Sequence, residues 1–184
     1  MMAADVAERD AQFVARASAG DRAAWDGIVR AHEPALLRLT AALLRDRDEA
    51  RDVCQETFKT AFDRLGDFEP GTRLDLWIRR IAINRARDVL RRRGVRHATE
   101  QELSRLPEHA ASPAEILSDR EDRLRLERAL HALPIDFREA LVAHILEDRN
   151  YRELAEMLDL SINAVRIRVH RAFARLRELM KEIS

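Results

Sequence analysis

A chain of 184 residues fits one domain or two small ones, and 46% apolar residues are enough for real cores. With 36% charged residues, five Gly, five Pro and no strand-like alternation, the composition excludes a β-rich fold and points to an all-α protein with short connections. Net charge is zero, yet Arg79 to Arg96 carries eight Arg against one Asp, a local +7, and Thr99 to Asp122 carries seven acids against two Arg, a local −5; patches of this kind, not the total, set the local field.

Residues 1–17 are mixed in character and are expected to fray. A first helix is predicted from near Asp21, carrying Trp25, Ile28, Val29, Leu36, Leu39 and Leu43, with Pro34 kinking or splitting it. A second is predicted from about Asp48 to Leu65, with Ala50, Val53, Cys54, Thr57, Phe58, Ala61, Phe62 and Leu65 at helical spacing. Gly66 follows it, and Phe68 to Thr72 reads as a turn-rich loop. A third helix spans Arg73 to about Arg93, with Leu74, Trp77, Ile78, Ile81, Ala82 and Val89 inward, and ends at Gly94.

The character then changes. His97 to Ser118 holds Pro107, Pro113 and scattered acids without a sustained period. A loop this long is uncommon inside one compact domain, so it is expected to be a flexible linker between two small helical domains. The expected organisation is an N-terminal extension 1–17, a first domain 18–95, a linker 96–118 and a second domain 119–184. The second domain opens with a helix bearing Leu126, Ala129, Leu130 and Leu133, broken at Pro134. A further helix carries Phe137, Ala140, Leu141, His144 and Ile145.

The last segment is the most informative. Leu154, Ala155 and Leu158 mark the buried face of one helix, Asp159 suits a left-handed turn, and Ser161 can cap the next helix. Val165, Val169, Ala172, Phe173 and Leu176 then form an apolar stripe, with Arg166, Arg168, Arg171, Arg175 and Arg177 between them and no acid from Ile162 to Arg177. A helix-turn-helix with a cationic second helix suits the DNA major groove; the alternative is a surface helix with a solvated charged face.

Two other faces carry chemistry. Asp52, Gln55, Glu56 and Lys59 share one side of the second helix, read either as a solvated surface or as a docking face. Arg80, Asn84, Arg87 and Arg91 share one side of the third, where guanidiniums a turn apart can follow a phosphate backbone. A favourable helix C-terminus accounts for Arg91 to Arg93, but not for Arg79, Arg80 and Arg87. Cys54 lies on an apolar stripe and reads as core. The six His are scattered, none at metal-ligand spacing, and no Gly-rich phosphate loop or nucleophile motif appears, so neither metal, cofactor nor enzymatic activity is expected. No apolar run approaches a membrane span and the N-terminus lacks a signal-peptide core, so a cytoplasmic protein is expected.

Three blocks, taken together, resemble the extracytoplasmic-function (ECF) group of bacterial RNA polymerase sigma factors. They are Asp52-Val-Cys-Gln55-Glu56-Thr-Phe58, Trp77-Ile-Arg-Arg-Ile81-Ala82-Ile-Asn84-Arg-Ala-Arg-Asp88, and Tyr151-Arg-Glu-Leu-Ala155 with Ser161-Ile-Asn-Ala-Val165-Arg166-Ile-Arg168-Val-His-Arg171-Ala172. The resemblance covers roughly residues 18 to 180. It implies that the first domain is a sigma region 2 helical bundle and the second a region 4 helix-turn-helix.

It further implies that Asp52, Gln55 and Glu56 dock on the β′ clamp of core RNA polymerase, with the β flap as a further contact. Glu69, Gly71, Thr72, Trp77, Arg80, Asn84, Arg87 and Arg91 would serve the −10 element, the loop holding a base flipped from the non-template strand. Ser161, Arg166, Ile167, Arg168, His170, Arg171 and Arg175 would serve the −35 element. Arg166 or Arg171 could pair with a guanine edge, and Arg168 and Arg175 with phosphates. Members of this family are often held inactive by an anti-sigma factor, a partner the sequence does not name. The chain departs from the family pattern at Ile167, often Ser, and at Leu74, Asp75 and Leu76, where aromatic or small polar residues are usual. The rival readings are a stand-alone helix-turn-helix transcriptional regulator and a helical interaction module.

Overall fold

The structure, a computed structural model, describes residues 2–69, 72–95, 97, 99, 120–147 and 149–183. The described residues form helices and no strand: α1 Met2–Ser18, α2 Arg22–Leu43, α3 Arg47–Asp63, a 3-10 turn Leu65–Asp67, α4 Leu74–Arg92, α5 Arg120–Ala132, α6 Ile135–Glu147, α7 Tyr151–Leu158 and α8 Ile162–Glu182. The fold is all-α, as the composition required. The segment expected to be a linker lies, apart from His97 and Thr99, outside the described residues. The chain divides into two compact units, Met1–Ala86 and Arg87–Ser184, the division falling within α4.

In the first unit the N-terminal residues depart from expectation. They form α1, which is fixed to α2 at three points. A Cβ on Gly27 would lie 3.0 Å from the Phe13 ring, so any larger residue there would make the ring shift by a few tenths of an ångström; glycine suits this approach of the two helices. Asp10 Oδ2 lies 3.1 Å from His32 Nε2, both side chains buried. Arg16 donates to Asp21 Oδ2 through Nε and Nη2 at 3.0 and 2.7 Å, while Asp21 Oδ1 accepts from Ala24 N and caps α2. The Arg16 guanidinium holds the Asp21 carboxyl below its ordinary value, helped by that backbone bond. The Phe13–Gly27 and Asp10–His32 contacts join residues 14 and 22 positions apart, beyond the reach of a local pattern; only the Arg16–Asp21 cap is local.

Of the two outcomes expected at Pro34, a kink or a split, the split does not occur: helix α2 is continuous through Pro34. Proline removes the bond to the Arg30 carbonyl, but Pro34 is exposed, so solvent can replace the lost donor. Helix α3 starts at Asp46, whose carboxylate accepts from Asp48 N and Glu49 N at 2.9 and 3.1 Å. Ala50, Val53, Cys54, Thr57, Phe58 and Ala61 are buried on its inner face, as their period predicted. Phe62, expected on that stripe, is instead 46% exposed, with its ring edge against Trp25 at 5.1 Å.

In the second unit Ala129 and Leu133 of the α5 end, Phe137 and Leu141 of α6, and Ala172, Leu176 and Leu179 of α8 share one core. Full burial of each Leu or Phe contributes about 2 kcal/mol. A charged residue closes this core. Arg138 is 2% exposed, donates to the carbonyls of Leu130 (3.0 Å), His131 and Leu133 (3.1 Å), and so satisfies the C-terminus of α5. Burial pulls its guanidinium down to about 10. Among the described residues no helix is long and apolar enough to cross a membrane.

Candidate nucleic-acid interface

The helix-turn-helix is built from α7 and α8. Asn150 opens α7 with a capping box: its side chain accepts from Arg152 N and Glu153 N, each at 3.0 Å, and Glu153 Oε2 accepts from Asn150 N at 3.3 Å. Asp159 ends α7 at φ +56°, the left-handed conformation expected of it. Ser161 caps α8 by accepting from Ala164 N at 3.2 Å. Leu154, Leu158, Val165, Val169, Ala172 and Leu176 are buried, which fixes which face of α8 remains outward; Met157, absent from the expected stripe, is buried with them.

The outward face is less uniform than an Arg-only sequence suggests. Arg166 is exposed and sits over the Tyr151 ring, 5.9 Å from its centroid. Ile167 and His170 are half-buried. Arg175 reaches Glu178 and Glu182 at 2.9 and 3.4 Å, acids that lie just beyond the cationic run. Arg168 lies 3.3 Å from Asp136 and 3.5 Å from Glu139. Arg171 differs most from the expected outer placement: it is 5% exposed, and burial lowers its pKa from the ordinary value.

Glu139 gathers charge within the second unit. It is 2% exposed, and accepts from Arg87 Nε and Nη2 at 3.1 and 2.7 Å, a bidentate pair. Burial nonetheless raises the Glu139 carboxyl, the guanidiniums offsetting only part of the desolvation. Burial works against the Arg87 charge, but the bond to Glu139 and the nearby charges of Glu139, Asp136 and Asp88 together raise its pKa. The neighbouring Asp136 also faces His97 Nδ1, at 3.0 Å. Two arginines expected to face DNA therefore hold a carboxylate in this conformation. The sequence shows no sign of it, since the two arginines lie 52 and 29 positions from Glu139.

The remaining −10 candidates are on α4 and the loop before it. Arg80 and Asn84 are exposed, and Arg91 is exposed with Asp88 at 3.7 Å. Thr72 is exposed and its hydroxyl donates to Glu69 O at 2.7 Å; Gly71 lies outside the described residues. Trp77 is half-buried, its ring edge 5.4 Å from Phe68, so a second aromatic stands beside the one singled out from sequence. Leu74, Asp75 and Leu76, the unusual residues before Trp77, are buried. Asp75 ties down the start of α4. Its carboxylate accepts from Arg73 Nε and Nη2 at 3.0 and 2.8 Å, and its carbonyl accepts from the buried Arg79 at 3.0 Å. Arg79, one of the arginines that a favourable helix C-terminus does not account for, is thus buried at the start of α4.

On α3, Asp52, Gln55 and Glu56 are all exposed on one face. Glu56 is the most engaged, with Arg85 of α4 at 3.8 Å and Lys59 at 4.0 Å, and Arg85 also donates to the Thr60 hydroxyl. Among the described residues no group of three or more His, Cys, Asp or Glu is arranged to hold a metal.

Comparison with known proteins places these elements. Residues 28–96 match the Sigma-70 region 2 family, and residues 123–176 match Sigma-70, region 4. The chain is 35% identical over 90% of its length to the ECF RNA polymerase sigma factor SigE of Mycolicibacterium smegmatis, spanning 66% of that protein. It is 35% identical to the RNA polymerase sigma factor CarQ of Myxococcus xanthus, covering 89% of this chain and 93% of CarQ. Among solved structures, CnrH in complex with the cytosolic domain of CnrY aligns with a TM-score of 0.71 at 27% identity, covering 96% of this chain and 99% of CnrH. The sigma factor RpoE in complex with the anti-sigma factor NepR, from Bartonella quintana, aligns with a TM-score of 0.63 at 28% identity, covering 85% of this chain and 96% of RpoE. With an exposed acidic face on α3, a basic α4 and a capped helix-turn-helix inside these two matches, the chain belongs to the sigma-70 family as an ECF sigma factor, one that binds core RNA polymerase and directs promoter-specific transcription initiation.

Proposed function

We propose that this sigma factor divides its work between an acidic docking face, a −10 reader and a −35 reader. Asp52, Gln55 and Glu56 dock on the β′ clamp. Glu69, Gly71, Thr72, Trp77, Arg80, Asn84, Arg87 and Arg91 serve the −10 element, with Trp77 and Phe68 offering aromatic surface to an unstacked base. Ser161, Arg166, Ile167, Arg168, His170 and Arg175 serve the −35 element; Arg171, buried with the inner face of α8, is left out of that set. The observation that carries this reading is α8 itself: its N-terminal half is capped by Ser161 and presents Arg166 outward, opposite the buried stripe. The N-terminal part of a recognition helix is what meets base edges.

Arg87 and Arg168 act as phosphate contacts by exchanging Glu139 for phosphate oxygens, so their part in DNA binding depends on release of that carboxylate. The protein carries out no covalent chemistry of its own, works in the cytoplasm beside the polymerase, and takes an anti-sigma factor as a regulatory partner. The bound anti-sigma factor NepR in the RpoE complex supports that last point.

Run-off transcription with purified core RNA polymerase on a library of promoter fragments tests the whole reading. Transcripts that depend on this protein, with start sites that align on two upstream elements, are the expected result. Core binding without any dependent transcript would remove the promoter-reading assignment.

A further inference from the structure

We infer that Tyr151 is a positioning residue for −35 recognition, holding Arg166 in the orientation that meets the groove; the inference rests on the proposed role of Arg166 at that element. Tyr151 is the first residue of α7, on the supporting helix and outside the predicted base-contacting set. Its ring meets two groups. The Arg166 guanidinium carbon is 5.9 Å from the ring centroid, within the range of a cation–π contact. The His144 ring is stacked on it at 5.6 Å and 8° between planes. His144 in turn meets the edge of Phe173 at 6.2 Å and 83°, so the stack is backed by α8.

The physics favours a role in recognition over packing alone. A guanidinium hydrogen-bonds through its edge and stacks through its face. Contact with the Tyr151 ring restricts a long, exposed side chain before DNA arrives, and a guanidinium that meets the ring through its face keeps its N–H fork for a base edge. A side chain ordered in advance loses less freedom on binding. The same contact also limits which direction the fork points, so Tyr151 acts on selectivity at one base pair rather than on affinity for DNA at large.

The test uses holoenzyme assembled from the full chain and core RNA polymerase, with a promoter from the run-off selection and its single-base-pair −35 variants. Tyr151→Leu is expected to lower discrimination at the base pair governed by Arg166 about 2- to 5-fold, with core binding unchanged. Tyr151→Phe keeps the ring and is expected to match the unmodified protein. In an Arg166→Ala background, Tyr151→Leu is expected to add nothing, because the interaction it serves is gone. The inference is overturned if the Phe variant loses as much as the Leu variant, if the loss is equal at every −35 position, or if it adds in full to Arg166→Ala. Should Arg166→Ala itself leave −35 preference intact, the proposed role of Arg166 falls and the inference with it. Loss with Arg166→Ala but none with Tyr151→Leu sinks the positioning role alone. The Phe variant, which changes one exterior atom of the ring, keeps the comparison decisive even if the Leu variant folds poorly.

Discussion

At the scale of single residues, burial decides what a reactive group can do. Cys54 is 3% exposed on the inner face of α3, and burial, with Glu33 adding to it, pushes its thiol up to about 11. The thiolate is the reactive species, so the folded protein should be alkylated by iodoacetamide at about pH 8 far more slowly than the urea-unfolded chain. Because the folded value lies above the ordinary 9.0, the contribution of this thiol to stability is fully present below pH 9.0 and is lost as pH rises through about 11. A Cys54→Ala variant should therefore show a shallower alkaline decline in urea stability; the same decline in both proteins would refute the burial argument. Arg138 illustrates the converse, a buried charge retained because backbone needs it. Replacing it by Leu leaves the carbonyls of Leu130, His131 and Leu133 without this donor, and should destabilise the second unit by about 2–3 kcal/mol in urea unfolding. No period or motif marks Arg138, since three carbonyls at one helix end select it and a sequence displays no carbonyls.

At the scale of elements, local chemistry and distant contact share control. The Ser161 cap and the left-handed Asp159 were legible because each is settled by the residue's own side chain and backbone preference. The helical runs of α3, α7 and α8 were legible from spacing, although Phe62 faces out because its ring finds Trp25 at the surface. Helix α1 was not legible. Its order depends on Gly27, His32 and Asp21, which belong to or cap the following helix. Asp10→Ala should leave His32 buried opposite an empty site, costing about 1–3 kcal/mol, and should raise amide exchange in α1 before the rest of the first unit. Uniform exchange across the unit would mean that α1 is held mainly by other contacts.

At the scale of the whole molecule, the functional surfaces are defined by charge left outside after folding. Asp52 and Glu56 are exposed, so Asp52→Lys with Glu56→Lys should leave helical content and Tm near those of the unmodified protein. Core RNA polymerase binding, measured by competition against the unmodified sigma factor, should weaken at least about tenfold if close charge pairs cross that interface. Undiminished competition would remove these residues from the docking face. The arginines do not share one fate: Arg80 and Arg166 remain at the surface, Arg79 and Arg171 are buried, and Arg87 and Arg168 lie on Glu139.

By itself the sequence determined the helical class, the order of the motif blocks, the turn of the helix-turn-helix and the family to which they belong. Those features follow from periodicity, capping and backbone preference, which act over a few residues. Only the tertiary structure decided which cations face outward, that Leu74, Asp75 and Leu76 anchor the start of α4, and that Tyr151 and His144 stack behind Arg166. An arginine side chain is long enough to satisfy its charge on solvent, a carbonyl, a carboxylate or a ring. Which of these it takes depends on groups brought near by packing, and a linear pattern does not encode that choice.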